Sequence, residues 1–208
     1  MEAAFKVYGN ARGKMSGISH ISIAEGQSPV CKTCKVNNIC YAKRIYTHVR
    51  EAYARNGEAL TSKVFDYCEL PVVNTIVCRF NAFGELFTGK KGITQLTNYV
   101  NTAKKNPLTT FVLWSRNYNL VESYFKTNEK PANMRLIRST SEIDRPVSTI
   151  PQVWDGVFNI LSKEYVEKNG VEINCGMIDA NGDKIGCLSC STGCYTRGNK
   201  VVVFEVQK

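Results

Sequence analysis

Nine cysteines occur in the chain, and seven of them fall into two groups with short gaps. Cys31, Cys34 and Cys40 form C-x2-C-x5-C, and Cys175, Cys187, Cys190 and Cys194 form C-x11-C-x2-C-x3-C. Gaps of two or three residues bring thiolates onto one tight turn, which suits tetrahedral zinc or an iron–sulfur cluster. Structural zinc sites usually pair two C-x2-C knuckles. The C-terminal group has one such pair, a close third cysteine and a distant fourth, which is the commoner arrangement for a 4Fe–4S cluster. Gly176, Gly186 and Gly193 fit that reading, because a backbone wrapped round a cluster needs close approach and positive φ. The N-terminal triplet reads as a cluster held by three thiolates with its fourth iron open to a substrate or cofactor, as a catalytic zinc keeps one open position. Zinc completed by His48 or by a cysteine from elsewhere is the alternative. One or two 4Fe–4S clusters are therefore the expected cofactors, with zinc second. Lys32, Lys35 and Lys43 are expected to lower the thiol pKa of the triplet, and a helix starting at Cys40 to favour a net-negative group.

The remaining candidates carry less chemistry. Cys68 in "VFDYCEL" and Cys78 in "NTIVCRF" sit in apolar settings and read as small buried hydrophobes. His20 in "SHISIA" and His48 on a helical stretch read as structural. The first residues, "MEAAFKVYGNARGK", lack an apolar signal-peptide core, and no run of 18 apolar residues exists, so neither secretion nor a membrane partner is expected. A reducing cytoplasmic setting follows, where clustered cysteines read as metal or catalytic sites rather than disulfides. The net charge of +9 suits an anionic partner such as nucleic acid, although no nucleic-acid motif accompanies it.

The elements that must position these residues alternate in type. Residues 20–24 alternate and predict a strand. Residues 39–54 have amphipathic helical spacing, and 58–70 predict a second helix ending at Pro71. Strands are predicted at 75–80, 109–115, 134–139, 156–161 and 201–206. Helices are predicted at 92–106, stopping at Pro107, and at 119–127, with a cap at Asn117 or Asn119. Strand, helix, strand at this pitch predicts parallel β/α units. About six strands are too few for a closed eight-stranded barrel, so the expected fold is α/β, an open or partial β/α barrel. Residues 1–165 would form the barrel with its N-terminal cysteine loop. Residues 166–208 would be a cysteine-rich C-terminal extension packed on it as part of one domain. Reactive groups in such folds sit at the C-terminal ends of strands. That rule selects residues 81–85 ("NAFGE"), Ser115 and Arg116, and residues 139–144 ("STSEID").

A cysteine triplet after the first strand of a partial barrel resembles the radical S-adenosylmethionine enzymes. In those enzymes three cysteines hold a 4Fe–4S cluster and the open iron chelates S-adenosylmethionine. Phe83-Gly84-Glu85, after the second strand, is similar to their Gly-Gly-Glu loop. The resemblance implies that Gly84 and Glu85 bind the cofactor's amino group, with Ser115 and Arg116 at its ribose or carboxylate. The usual triplet there is C-x3-C-x2-C, whereas this chain has C-x2-C-x5-C. A closer similarity is to the phage gene product 88 family. It rests on Cys40-Tyr41-Ala42, on "VCRFNAFGELF", on "KKNPLTTFVLWSRN" and on the C-terminal cysteine set, across residues 15–195. This resemblance implies a phage protein working in the host cytoplasm and brings no settled activity.

Overall fold

The computed structural model describes residues 3–9, 13–176 and 178–206. Among these residues seven strands form one sheet in simple chain order. They are β1 (Tyr8–Gly9), β2 (Ser19–Ile21), β3 (Val77–Phe80), β4 (Thr110–Ser115), β5 (Met134–Ile143), β6 (Gly156–Leu161) and β7 (Val201–Val206). The short β1 runs antiparallel to β2, and every later pair is parallel. Five α-helices join or precede them: α1 (Pro29–Lys32), α2 (Thr47–Ser62), α3 (Gly89–Lys105), α4 (Tyr118–Thr127) and α5 (Lys163–Asn169). The expected α/β class with a mostly parallel sheet is therefore present, as an open sheet with β1 and β7 at its edges. β7, which belongs to the expected C-terminal extension, is a full partner of β6.

Strand alternation gives the sheet two different faces. Cys78 and Phe80 of β3, with Phe111 and Leu113 of β4, meet Leu60 of α2, Leu96, Tyr99 and Ala103 of α3 and Val121 of α4. The opposite positions, Val77, Val112, Ile137, Phe158, Val201 and Val203, form a second cluster with Ile18 and Tyr195. No helical residue belongs to that second cluster. It is covered instead by Met15 and by the segment carrying Cys175, Cys187 and Cys194. Strands buried on both sides carry continuous apolar runs, which is why β4 and β6 read clearly in the sequence.

The helices near the first cysteines differ from expectation. Cys40 and Ile45 adopt extended backbone, at ψ of 119° and 140°, so residues 39–46 make short 3-10 turns rather than an α-helix. The helix begins at Thr47 and runs to Ser62 through Gly57. A Cβ on Gly57 would lie 2.3 Å from Gln27 Oε1, whose side chain also donates from Nε2 to Ala54 O at 2.9 Å. This glycine therefore serves a close contact rather than ending the helix. The second helix expected over 58–70 is absent. Lys63 is extended, and Asp66 and Glu69 form a capping box round a 3-10 turn at Tyr67–Glu69.

Two smaller corrections follow. The 139–144 segment was expected to be a loop, but β5 continues through it to Ile143, with a register shift between Ser139 and Ile143. Asn117 does stand at the start of α4, but without a side-chain capping bond.

Candidate functional site

A cavity of about 570 Å³ opens between the helix-free face of the sheet and its irregular cover. Cys31, Cys34 and Cys40 line it from one side, and Cys175, Cys187, Cys190 and Cys194 from the other. All seven are half-buried free thiols. The two groups, more than a hundred residues apart in the chain, thus share one space.

Local bonds hold the N-terminal group. Ser28 caps α1 by accepting from Val30 N at 3.2 Å and donates its own hydroxyl to Leu86 O at 2.6 Å. The C-terminal group is tied to the sheet at several points. Cys175 N donates to Phe204 O at 3.1 Å, and Cys187 N to Lys14 O at 2.6 Å. Arg135 Nε donates to Cys194 O at 2.9 Å, and Thr192 Oγ1 to Asn174 O at 2.5 Å. Gly176 and Gly193 have φ of 77° and 71°, in the left-handed region, whereas Gly186 does not.

The expected low thiol pKa is not found at Cys31. Burial pushes it up to about 11, against the pull of the Gly26 N–H, and Glu85, Glu25 and Cys40 push the same way. The lysines meant to lower it are exposed, and Lys35 pairs with Glu142 instead. Burial likewise raises Cys175 to about 11 and Cys194 to about 12, with Cys187 raised as well. Each of Cys175, Cys187 and Cys194 is further disfavoured as a thiolate by its cysteine neighbours. Lys14, paired with Glu205 at 2.7 Å, opposes that repulsion at Cys175 and Cys187.

Among the described residues no three His, Cys, Asp or Glu side chains converge as ligands of one metal ion. A single zinc needs its donors about 2.0–2.3 Å from one point. A cubane cluster binds each thiolate at a separate iron corner, so its ligands stand further apart. The donor set fits such a cluster in kind: soft thiols, a half-buried setting, Lys14 beside Cys175 and Cys187, and the Gly26 N–H on the Cys31 sulfur.

The remaining expected site residues do meet. Gly84 takes φ of 76° just past β3, and a Cβ there would lie 2.7 Å from Ile23 O. That turn buries Glu85 at the cavity wall, where only 6% of it is exposed. Its Oε1 accepts from Ser115 Oγ at 2.7 Å and from Leu86 N at 2.8 Å, and its Oε2 accepts from Arg116 N at 2.7 Å. Burial raises the Glu85 carboxyl, outweighing these donors and Arg116. The Arg116 side chain turns away, donating from Nε to Thr140 O at 3.1 Å. Gly84, Glu85, Ser115 and Arg116 are thus one unit, held by hydrogen bonds rather than by an ion pair.

Arg79 and Trp114 escaped the sequence reading, whereas Asn81 opens the selected 81–85 turn. Arg79 Nε, Asn81 Nδ2 and Trp114 Nε1 are buried with no hydrogen-bond partner among the described residues. An unpaired buried donor costs about 1–3 kcal/mol. The available signal was Arg79 itself, a charge at an inward position of an otherwise apolar strand.

The other candidates lie apart. Cys78 is buried, as expected, but Cys68 is exposed, so it is no core residue. His20 is buried, with Nδ1 2.9 Å from Ser22 Oγ and Nε2 3.4 Å from the Tyr53 hydroxyl. His48, exposed on α2, stacks on Tyr46 at 5.9 Å. No described helix is long and apolar enough to cross a membrane.

The family model for Gene product 88 matches residues 5–184. The match includes Cys31, Cys34, Cys40, Glu85 and Cys175 and stops before Cys187, Cys190 and Cys194. No curated protein and no solved structure matches the chain.

Proposed function

The chain belongs to the gene product 88 family of phage proteins, and on that premise we propose that it is an iron–sulfur protein of radical S-adenosylmethionine type. The observation that carries this reading is that both cysteine groups line one cavity, on the sheet face that no helix covers. In this reading the parallel strands in chain order, with the long helices on one face, form a partial β/α barrel whose inner face bears the cofactors. Cys31, Cys34 and Cys40 hold one 4Fe–4S cluster, and Cys175, Cys187, Cys190 and Cys194 hold a second. When bound, the first cluster supplies one electron to a ligand at its open iron.

The protein's own residues bind and orient that ligand. Glu85 is fixed by three donors, and Oε2 accepts only one of them, which leaves acceptor capacity for an ammonium group. Leu86 N, Ser115 and Arg116 N set the carboxylate's direction before any ligand arrives. Phe158 and Trp114, packed ring to ring at 4.8 Å, limit water at the inner wall.

Anaerobically purified protein should contain iron and acid-labile sulfide and absorb near ~400 nm, as cysteine-ligated clusters do. Added S-adenosylmethionine should change the electron paramagnetic resonance of the reduced cluster, and Glu85→Gln should weaken that change. Colourless protein with stoichiometric zinc would remove the whole reading. Intact clusters that ignore S-adenosylmethionine would leave an iron–sulfur protein without this chemistry.

A second reading, a non-catalytic metal protein that binds nucleic acid, is favoured by the exposed surface beside the triplet. Tyr46 is 77% exposed there, among exposed Lys32, Lys35, Lys43 and Arg44. Stacking aromatics among cations suit single strands. Strong, salt-dependent binding of an oligonucleotide, weakened by Tyr46→Ala, would support it.

A further inference from the structure

Within the cavity, one part of the inner wall is formed by groups that no cysteine explains. Arg79 of β3, Asn81 just beyond it and Trp114 of β4 line the cavity side by side. The Arg79 guanidinium lies over the Trp114 ring at 4.7 Å, with Nη1 3.8 Å from Met15 Sδ. It also donates to the Tyr195 hydroxyl. Among the described residues it has no carboxylate partner. Of the described acids, Glu25, Glu85 and Glu205 line the cavity; none forms an ion pair with Arg79, Glu85 being occupied by Leu86 N, Ser115 and Arg116 N, and Glu205 paired with Lys14.

Asn81 is only 3% exposed and takes φ of 52°. Its Oδ1 accepts from the Tyr99 hydroxyl at 2.7 Å and from Gln95 Nε2 at 3.5 Å, which orients the amide so that Nδ2 is left without a partner. Arg79 Nε and Trp114 Nε1 are buried and unpartnered in the same way. Every unpartnered atom on this wall is therefore a donor, and one belongs to a permanent cation. A guanidinium fork is matched by a planar or tetrahedral oxyanion, and a cavity of a few hundred Å³ with a few convergent polar groups suits a small molecule.

We propose that Arg79, Asn81 and Trp114 form an oxyanion subsite that takes the carboxylate or phosphate group of a small-molecule ligand. The subsite does not depend on the cysteines holding a metal. Arg79 carries the charge, Asn81 adds an amide donor whose direction Tyr99 and Gln95 fix, and the Trp114 indole N–H completes the set. The remaining cavity volume receives the rest of the ligand.

The chain has two tryptophans, and their indole N–H groups differ in a useful way. Trp154 Nε1 already donates to Glu122 Oε1 at 2.9 Å, so it serves as an internal reference. The experiment titrates 15N-labelled full-length protein, as purified anaerobically, with inorganic phosphate and, separately, with succinate. The Trp114 indole resonance should move and saturate with at least one probe while Trp154 stays still, and the probe that binds more tightly identifies the oxyanion. Arg79→Gln should weaken binding about tenfold or more, the loss expected for a charge-assisted bond. Asn81→Asp keeps the acceptor used by Tyr99 and reverses only the ligand-facing group, and it should weaken binding similarly. An unchanged Trp154 resonance certifies that each variant is folded. Three results overturn the proposal: no movement with either probe, equal movement of both indoles, or variants that bind as tightly as the parent. A Trp114 shift that accompanies cluster loading and not anion addition also overturns it, by assigning these donors to the cluster.

Discussion

On the helix-covered face of the sheet, Phe80 stacks on Tyr99 at 4.1 Å and on Phe111 at 4.9 Å, all three fully buried among aliphatic neighbours. On the other face, the cover has little regular structure, and the wall holds one guanidinium nitrogen, one amide nitrogen and one indole nitrogen, Arg79 Nε, Asn81 Nδ2 and Trp114 Nε1, without partners among the described residues. The first face pairs buried polar groups such as Asn98 with neighbouring backbone, and its stability is that of a close-packed interior. The second is built from bonds between irregular backbone and the sheet, such as Arg135 to Cys194 O and Arg197 Nε to Thr110 Oγ1 at 2.9 Å. One sheet thus separates a close-packed region from a region that keeps buried donors unpaired among the described residues.

The comparison breaks or sharpens through substitutions on each side. The largest effect belongs to the packed face. Phe111→Ala should cost about 3–5 kcal/mol in denaturant unfolding, with or without metal, because it removes a ring from a core that cannot collapse around the gap. An equal loss from a substitution on the cysteine side in metal-free protein would erase the contrast.

His20 tests the boundary between the regions, since it faces Tyr53 of α2 and pairs in register with Arg79. Burial, and then Arg79, lowers its pKa to about 4. A group whose folded pKa is depressed keeps its neutral form in the fold. Its stabilisation is complete above the unfolded value near ~6.5 and is lost as pH falls toward about 4, amounting to about 3 kcal/mol. His20→Gln should flatten the acid limb of stability against pH over that range. An unchanged slope would mean that other groups carry it.

A smaller and conditional effect is expected at Cys190. Cys190→Ser should lower the melting temperature of metal-loaded protein by about 4–8 °C, equivalent to about 2 kcal/mol, and leave metal-free protein unmoved. Equal shifts in both forms would show that the segment is held by packing, like the other face. Smallest of all is Cys68→Ala, an exposed site that should stay within about 0.5 kcal/mol of the parent.

The legibility of these regions in the sequence follows the same division. β3, β4, β5, β6, β7, α3 and α4 were all foreseen, because strands and helices that bury apolar faces write that burial as periodicity. Within the stretch from Cys40 to Leu70, residues 47–62 are helical, as expected for 47–54 and 58–62, whereas 40–46 and 63–70 were misread. Its apolar spacing is helical, but Cys40 and Ile45 turn extended, and Gly57 lies inside a helix because Gln27 fills the space of its missing side chain. The two-residue β1 is too short to carry a pattern. Glu85, Ser115 and Arg116 were singled out from strand ends, and their mutual hydrogen bonds follow from the parallel order of β3 and β4. Arg79 and Trp114 were missed because each looks ordinary in its own strand, and only the pairing of β3 with β4 makes them neighbours of each other and of Asn81, which the strand-end rule did select. That both cysteine groups face one cavity was equally invisible, since no local pattern reports that residues 40 and 175 line the same space.

The order of strands along the chain also sets an order in time. During synthesis, β2, α2, β3, α3, β4 and α4 emerge in succession, and each can dock on the element before it, so the helix-covered face closes progressively. The opposite face has no such schedule. Met15 and the triplet loop are made early, but the segment carrying Cys175, Cys187 and Cys194 and the strand β7 beside it come from chain beyond Leu161. Until that stretch is made, the triplet, the Glu85 turn and the Arg79 wall remain open to solvent. A nascent chain therefore passes through an interval in which one side is already folded and the cysteine-bearing side is still accessible from outside, and the final strand is what shuts it.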